Sequence, residues 1–130
     1  MLFVRTKSVA VAVSLVLIVA SAAYAETGIA SQKAIEFLLS SVEHSDLVFI
    51  RNGKSYSPKE AAAHLKAKYD YFKGDIVTPE DFIRLAGSKS ELSGKPYQVQ
   101  MRDGRRVMSA EWLLRVLAEY RAAPDTSLRN

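Results

Sequence analysis

The chain contains no cysteine. Thiolate metal ligands, cysteine nucleophiles and disulfide staples are therefore excluded, and the fold must be held by packing alone. Histidine is nearly as scarce. Only His44 and His64 occur, without the close spacing of helical zinc ligands, and no metal site is expected. Charge of one sign is barely in excess, at a formal net charge of +4. Nucleic-acid binders usually carry a strong basic patch, so nucleic acid is not an expected partner. Familiar reaction signatures are missing too: no Gly-x-Ser-x-Gly elbow, no Ser-x-x-Lys, no His-Glu-x-x-His and no phosphate loop. Ser93-Gly94-Lys95 lacks the earlier glycine and the following Ser or Thr that a phosphate loop needs. No cofactor is implied.

One apolar run stands out, and it lies at the start. Arg5 and Lys7 form a short basic region, Ser8 to Ser21 is uncharged and apolar, and Ala23-Tyr24-Ala25 is a small-x-small cleavage site before Glu26. This is the pattern of a secretory signal peptide over residues 1–25. A retained anchor would want about 20 apolar residues, more than this run supplies, so removal is expected. Without cysteine, no lipoprotein anchor can form. Loss of Arg5 and Lys7 lowers the net charge to +2. The expected address is the periplasm, with membrane contact only through the leader. The remaining chain is long enough for one domain, residues 26–123, followed by a tail over 124–130.

The rest of the chain alternates helical and hairpin signals. Residues Glu26 to Ala30 are expected to form a loose leader. Ile35, Leu38, Leu39 and Val42 recur at helical spacing, predicting a helix from Ser31 to His44. Leu47-Val48-Phe49-Ile50-Arg51 then runs into Asn52-Gly53, which suits a two-residue type I′ turn returning through Lys54-Ser55-Tyr56. Ser57-Pro58-Lys59-Glu60 is a capping box for a second helix, whose apolar face carries Ala61, Ala62, Leu65, Tyr69 and Phe72 and whose stop is Lys73-Gly74. Thr78 opens a short third helix, with Val77 and Phe82 as a candidate hydrophobic staple. Gly87 ends it, and Ser88 to Pro96 is a polar loop. Tyr97 to Met101 alternates as a half-buried strand. Asp103-Gly104 reads as the second hairpin turn, and Ser109 as the cap of a final helix carrying Trp112, Leu113, Val116, Leu117 and Tyr120.

The fold class that follows is α+β: two hairpins and four helices around one core, with the hairpins expected to share a small antiparallel sheet packed on one face by helices. Arg51-Asn52-Gly53-Lys54 is echoed at Arg102-Asp103-Gly104-Arg105. The repeat is compatible with a duplication or with two hairpins obeying the same turn chemistry. Arg102, Arg105 and Arg106 are expected to form a solvated hairpin tip rather than an anion site.

Three segments resemble the YfeK-like family of small exported bacterial proteins, a domain of unknown function. They are Leu47-Val48-Phe49-Ile50-Arg51-Asn52-Gly53, then Glu60 through Tyr69, then Thr78-Pro79-Glu80-Asp81-Phe82-Ile83 with Ser88-Lys89-Ser90-Glu91-Leu92-Ser93-Gly94-Lys95-Pro96-Tyr97. The resemblance implies a common fold and a periplasmic address. It implies no activity, ligand or catalytic residue.

Two surfaces are candidates for function. The Ser88–Tyr97 loop presents hydroxyls, ammonium groups and backbone N–H groups suited to an anion or a sugar; Ser88, Lys89, Ser90, Ser93, Lys95 and Tyr97 are its candidate contacts, with Arg51, His64 or Lys68 if the fold brings them near. The competing reading is a structural loop whose hydroxyls satisfy its own amides. His64, with Glu60 at i−4, could be an oriented base, but catalysis would need a third group such as a loop serine. An ordinary helix pair or a satisfied histidine competes with that. The leading expectation is a non-enzymatic binding module of the bacterial envelope, with an envelope protein or a cell-wall fragment as partner. The alternative is a small hydrolase or transferase using His64, Glu60 and a loop serine.

Overall fold

A computed structural model describes residues 28–123. The expected signal peptide and the tail over 124–130 lie outside the described residues. The chain divides into two units, Met1–Ala30 and Ser31–Asn130, and the fold is that of the second. Residues 28–43 are helical (α1), so 28–30 are helix rather than the loose leader expected. The α1 helix ends at His44, whose N–H donates to the Ser40 carbonyl oxygen and whose Nδ1 lies 2.9 Å from the same atom.

The first hairpin follows from its turn residues. β1 (Val48–Arg51) and β2 (Lys54–Tyr56) pair antiparallel with Arg51 opposite Lys54. Asn52 and Gly53 between them have φ of 51° and 74°, the two positive values a type I′ turn requires. At the start of α2 (Pro58–Phe72) the Ser57 hydroxyl accepts from the Glu60 N–H, and the Glu60 carboxylate accepts from the Ser57 N–H. A 3-10 turn over Lys73–Asp75 ends the helix. α3 (Pro79–Leu85) has the same reciprocal cap between Thr78 and Asp81. Two N–H groups, of Val77 and Thr78, converge on the Asp81 carboxylate, and these backbone bonds hold its pKa down to about 2. Phe82 is fully buried while Val77 is 51% exposed, so the cap is fixed by hydrogen bonds rather than by a tight staple.

The second hairpin differs from its predicted form. β3 (Gln98–Gln100) and β4 (Arg106–Met108) are joined by a longer loop. The Gly104 N–H closes a turn on the Met101 carbonyl, and the Met101 N–H reaches the Arg105 carbonyl. In this loop only Gly104 has positive φ. Asp103 instead accepts from the Arg105 N–H. Asp103-Gly104 is therefore part of a bulged turn rather than a two-residue one. The tip arginines are exposed: Arg102 pairs with Asp46 and Arg105 with Asp103. The last helix, α4 (Ser109–Ala122), is capped at Met108 without a side-chain bond. Ser109 is its first helical residue rather than its cap. It is held at the sheet by its N–H, which donates to the Tyr97 carbonyl.

The four strands form one antiparallel sheet in the order β2-β1-β3-β4. The fold is α+β. The two hairpins lie back to back across the β1–β3 pair, as a duplicated unit would, although their turns are built differently. Tyr56, Phe49, Val99 and Val107 are cross-strand partners and so share one face. That face joins Ala34, Ile35, Leu38 and Val42 of α1, Ala61, Ala62 and Leu65 of α2, Phe82 and Ile83 of α3, and Trp112, Leu113 and Leu117 of α4 in a single core. Among the described residues, no helix is long and apolar enough to cross a membrane.

Candidate functional site

Strand alternation builds the site. Arg51 lies two residues after Phe49 and Tyr97 two before Val99, so both project to the inner face, where Tyr56 also lies. α2 crosses this face and presents His64 and Lys68, one turn apart on a shared stripe. The result is a line of polar contacts at the edge of the core. The Arg51 guanidinium Nη1 lies 2.6 Å from His64 Nδ1 and 3.0 Å from Nε2, and Nη2 donates to the Tyr56 hydroxyl at 3.1 Å. His64 Nε2 is 3.1 Å from the Tyr97 hydroxyl, which also accepts from Lys68 Nζ at 3.3 Å. Lys68 is 9% exposed and donates in addition to the Lys89 carbonyl at 2.8 Å and to Glu91 at 3.5 Å.

The electrostatics follow from these neighbours. The guanidinium Nη1 lies within 3.0 Å of both ring nitrogens, so it stands across the imidazole rather than on a single lone pair. Burial, with the Arg51 and Lys68 charges beside it, lowers the His64 pKa, so the ring is neutral at pH 7. Burial also lowers the Lys68 pKa, with Glu91 opposing, and raises that of the Tyr97 phenol. Lys68 donates to the Tyr97 hydroxyl, whose own proton rotates to suit its neighbours. Arg51 is half-buried and, among the described residues, has no carboxylate within salt-bridge distance.

These groups close one end of a cavity of about 330 Å³ between the sheet and the helices. Phe49, Leu65, Trp112 and Leu113 form apolar walls; Arg51, Tyr56, His64 and Tyr97 supply the polar end; exposed Glu60 and Ala63 mark its approach to solvent. Gly87 contributes to the wall because a Cβ there would collide with Leu113.

The loop serines are placed differently. Ser88 donates to the Ile83 carbonyl. Ser90 accepts from Asn52 and from the Ser93 N–H. Ser93 donates to Asn52 and accepts from the Lys95 N–H. None of the three hydroxyls bonds to His64, and the Glu60 carboxylate serves the Ser57 N–H rather than the imidazole. The Lys89 and Lys95 side chains are exposed. Of the residues singled out from the sequence, the fold thus brings Arg51, His64, Tyr97 and Lys68 together. Tyr56 and Trp112 are additions. Tyr56 partners Phe49, which only the strand register reveals, and Trp112 had been read as core from its helical spacing. Among the described residues, no group of three or more His, Asp or Glu side chains is placed to hold a metal.

Comparison with known proteins gives a consistent relationship. A protein of Salmonella typhimurium described as the uncharacterized protein YfeK is 40% identical over 55 residues, which is 42% of this chain and 46% of that protein. The chain thus spans about half the length of that relative. No solved structure matches. The family of unknown function DUF5329 matches residues 29–121, and the chain belongs to it.

Proposed function

We propose that this protein is a non-enzymatic binding module exported to the bacterial envelope, and that its binding site is the cavity closed by Arg51, His64 and Tyr97. The observation that carries this reading is a half-buried guanidinium, without a carboxylate at salt-bridge distance among the described residues, at the polar end of a largely apolar cavity. Cavities of this size fall at the small end of ligand sites, roughly 300–1,000 Å³. The volume favours a small envelope constituent, such as part of a cell-wall fragment, over a protein surface. A binding role is also supported by the hydrogen bonds of the imidazole: its ring nitrogens are engaged by Arg51 and Tyr97, and none of Ser88, Ser90 and Ser93 bonds to them. The basic, apolar and small-x-small segments of residues 1–25 support export.

The test has two parts. Native protein is located by cell fractionation and its N-terminus sequenced, and small molecules co-purifying with wild type and with Arg51→Gln are compared by mass spectrometry. We expect a periplasmic protein beginning near Glu26, carrying a small molecule that Arg51→Gln retains poorly. A cytosolic protein beginning at Met1, or identical material on both forms, overturns the proposal.

A further inference from the structure

We propose that the cavity takes a small monocarboxylate with an apolar body, its carboxylate bound by Arg51 and Tyr97 and its body lying along Phe49, Leu65 and Trp112. This rests on the binding-module reading and adds the chemistry of the ligand. Three features select that class.

The first is charge. Arg51 spends its donors on neutral groups, the His64 ring and the Tyr56 hydroxyl. Its guanidinium keeps N–H groups for a planar anion, which it binds better than a point charge would. Lys68 donates to the Tyr97 hydroxyl at 3.3 Å, closer than its 3.5 Å contact with Glu91. The second is donor geometry. The Tyr97 hydroxyl accepts from Lys68, and its rotatable proton can be given to an acceptor beside Arg51. Arg51 and Tyr97 follow the same β1–β3 pairing and sit next to each other on the inner face. The third is the wall. Apart from that end the lining is mostly apolar, with Phe49, Leu65, Trp112 and Leu113 as its walls and Glu60, Gln98 and Ser109 as its other polar members, which favours an apolar body over a sugar. A cation is disfavoured by Arg51, and a neutral alcohol leaves the guanidinium without a counter-charge. A phosphate dianion without an apolar body leaves the walls empty.

The chain has one tryptophan, and Trp112 lines the cavity. Its fluorescence therefore reports occupancy without a label. The purified full chain is titrated at pH 7 with octanoate and with 3-phenylpropionate. Octanol, octylamine and inorganic phosphate serve as neutral, cationic and non-apolar controls. We expect a saturable change with either acid. Octanol should bind about tenfold more weakly, in line with the loss of a charge-assisted hydrogen bond, and octylamine and phosphate should give no response. Arg51→Gln should weaken the acid by about tenfold or more and leave octanol unchanged. Tyr97→Phe, which removes a single oxygen, should weaken the acid less; circular dichroism confirms that both variants fold.

Octanol or octylamine binding as well as the acids, or a folded Arg51→Gln that binds octanoate like wild type, overturns the ligand class while leaving the cavity a binding site. Silence with every probe overturns the ligand class and the binding-module reading together.

Discussion

Gly87 follows α3 and packs against Leu113 of α4, and its replacement by alanine tests the packing that shapes the cavity. A Cβ at this position would lie 2.6 Å from Leu113 Cδ1 and 3.2 Å from the Ile83 carbonyl oxygen. Leu113 is 1% exposed, so its side chain cannot swing into solvent. Overpacking of this kind costs about 1–3 kcal/mol. Gly87 does not have positive φ, so alanine fits the backbone and recovers about 0.4–1 kcal/mol of unfolded-state entropy. The cavity beside Leu113 gives that side chain some room, which holds the overpacking to about 2 kcal/mol. The net expectation is a loss of about 1 kcal/mol, or roughly 4–8 °C in Tm for a domain of this size. The clash also pushes Leu113 into the cavity, so ligand binding reported by Trp112 should weaken in the same variant. The deciding measurement is a double-mutant cycle by urea unfolding. In a Leu113→Ala background, itself costing about 2–5 kcal/mol, the Gly87→Ala penalty should vanish. Strict additivity, within about 0.3–0.5 kcal/mol, or stabilisation by Gly87→Ala alone, would refute the reasoning.

Other expectations follow from the same geometry. The His64 pKa is lowered from 6.5 by burial, Arg51 and Lys68. The unfolded chain therefore takes up a proton below pH 6.5 before the folded one does, and stability falls as pH drops from 6.5 toward the folded value. Thermal unfolding between pH 7.5 and 5.5 should show this acid slope in wild type and a shallower one in His64→Gln; equal slopes would contradict it. An anion on Arg51 relieves the repulsion felt by His64⁺, so octanoate affinity should rise as pH falls across that window, measured by Trp112 fluorescence. The groups facing the ring are Arg51 and Tyr97 from the sheet and Lys68 from its own helix. Thr78→Ala removes the α3 cap and should cost about 0.5–2 kcal/mol. The Asp81 pKa, held at about 2 mainly by the Thr78 and Val77 N–H groups, should then climb toward 3.8 as the turn frays, as read by NMR titration. Asn52→Gly keeps the positive φ but loses the bonds to Ser90 and Ser93. Amide exchange in residues 88–96 should accelerate while the hairpin amides stay protected, and unchanged exchange would show that the tether does not order the loop.

Local structure was legible wherever one residue's chemistry answers a local need. Asn52-Gly53 specifies positive φ twice, and the side chains of Ser57 and Thr78 satisfy N–H groups that any helix start exposes. Those segments form as read. Errors arose where a partner distant in sequence intervenes. Ser109 has the composition of a cap, yet its N–H is claimed by Tyr97 across the sheet. Asp103-Gly104 resembles a two-residue turn, but Asp103 accepts from the Arg105 N–H and only Gly104 takes positive φ. Composition of the 88–97 loop left open whether its hydroxyls meet a ligand or the loop itself, and Asn52, 38 and 41 residues away in sequence, engages those of Ser90 and Ser93.

The sequence by itself determined the helices, the first hairpin and the α+β class, because capping, turn chemistry and apolar periodicity act over a few residues. Tertiary structure alone decided the site. Arg51, His64, Tyr97 and Trp112 come from two strands and two helices, and only the β1–β3 register and the crossing of α2 over the sheet set them around one cavity. Charge, burial and hydrogen-bond partnership at such a place are properties of neighbours brought together by folding, and no local pattern encodes them.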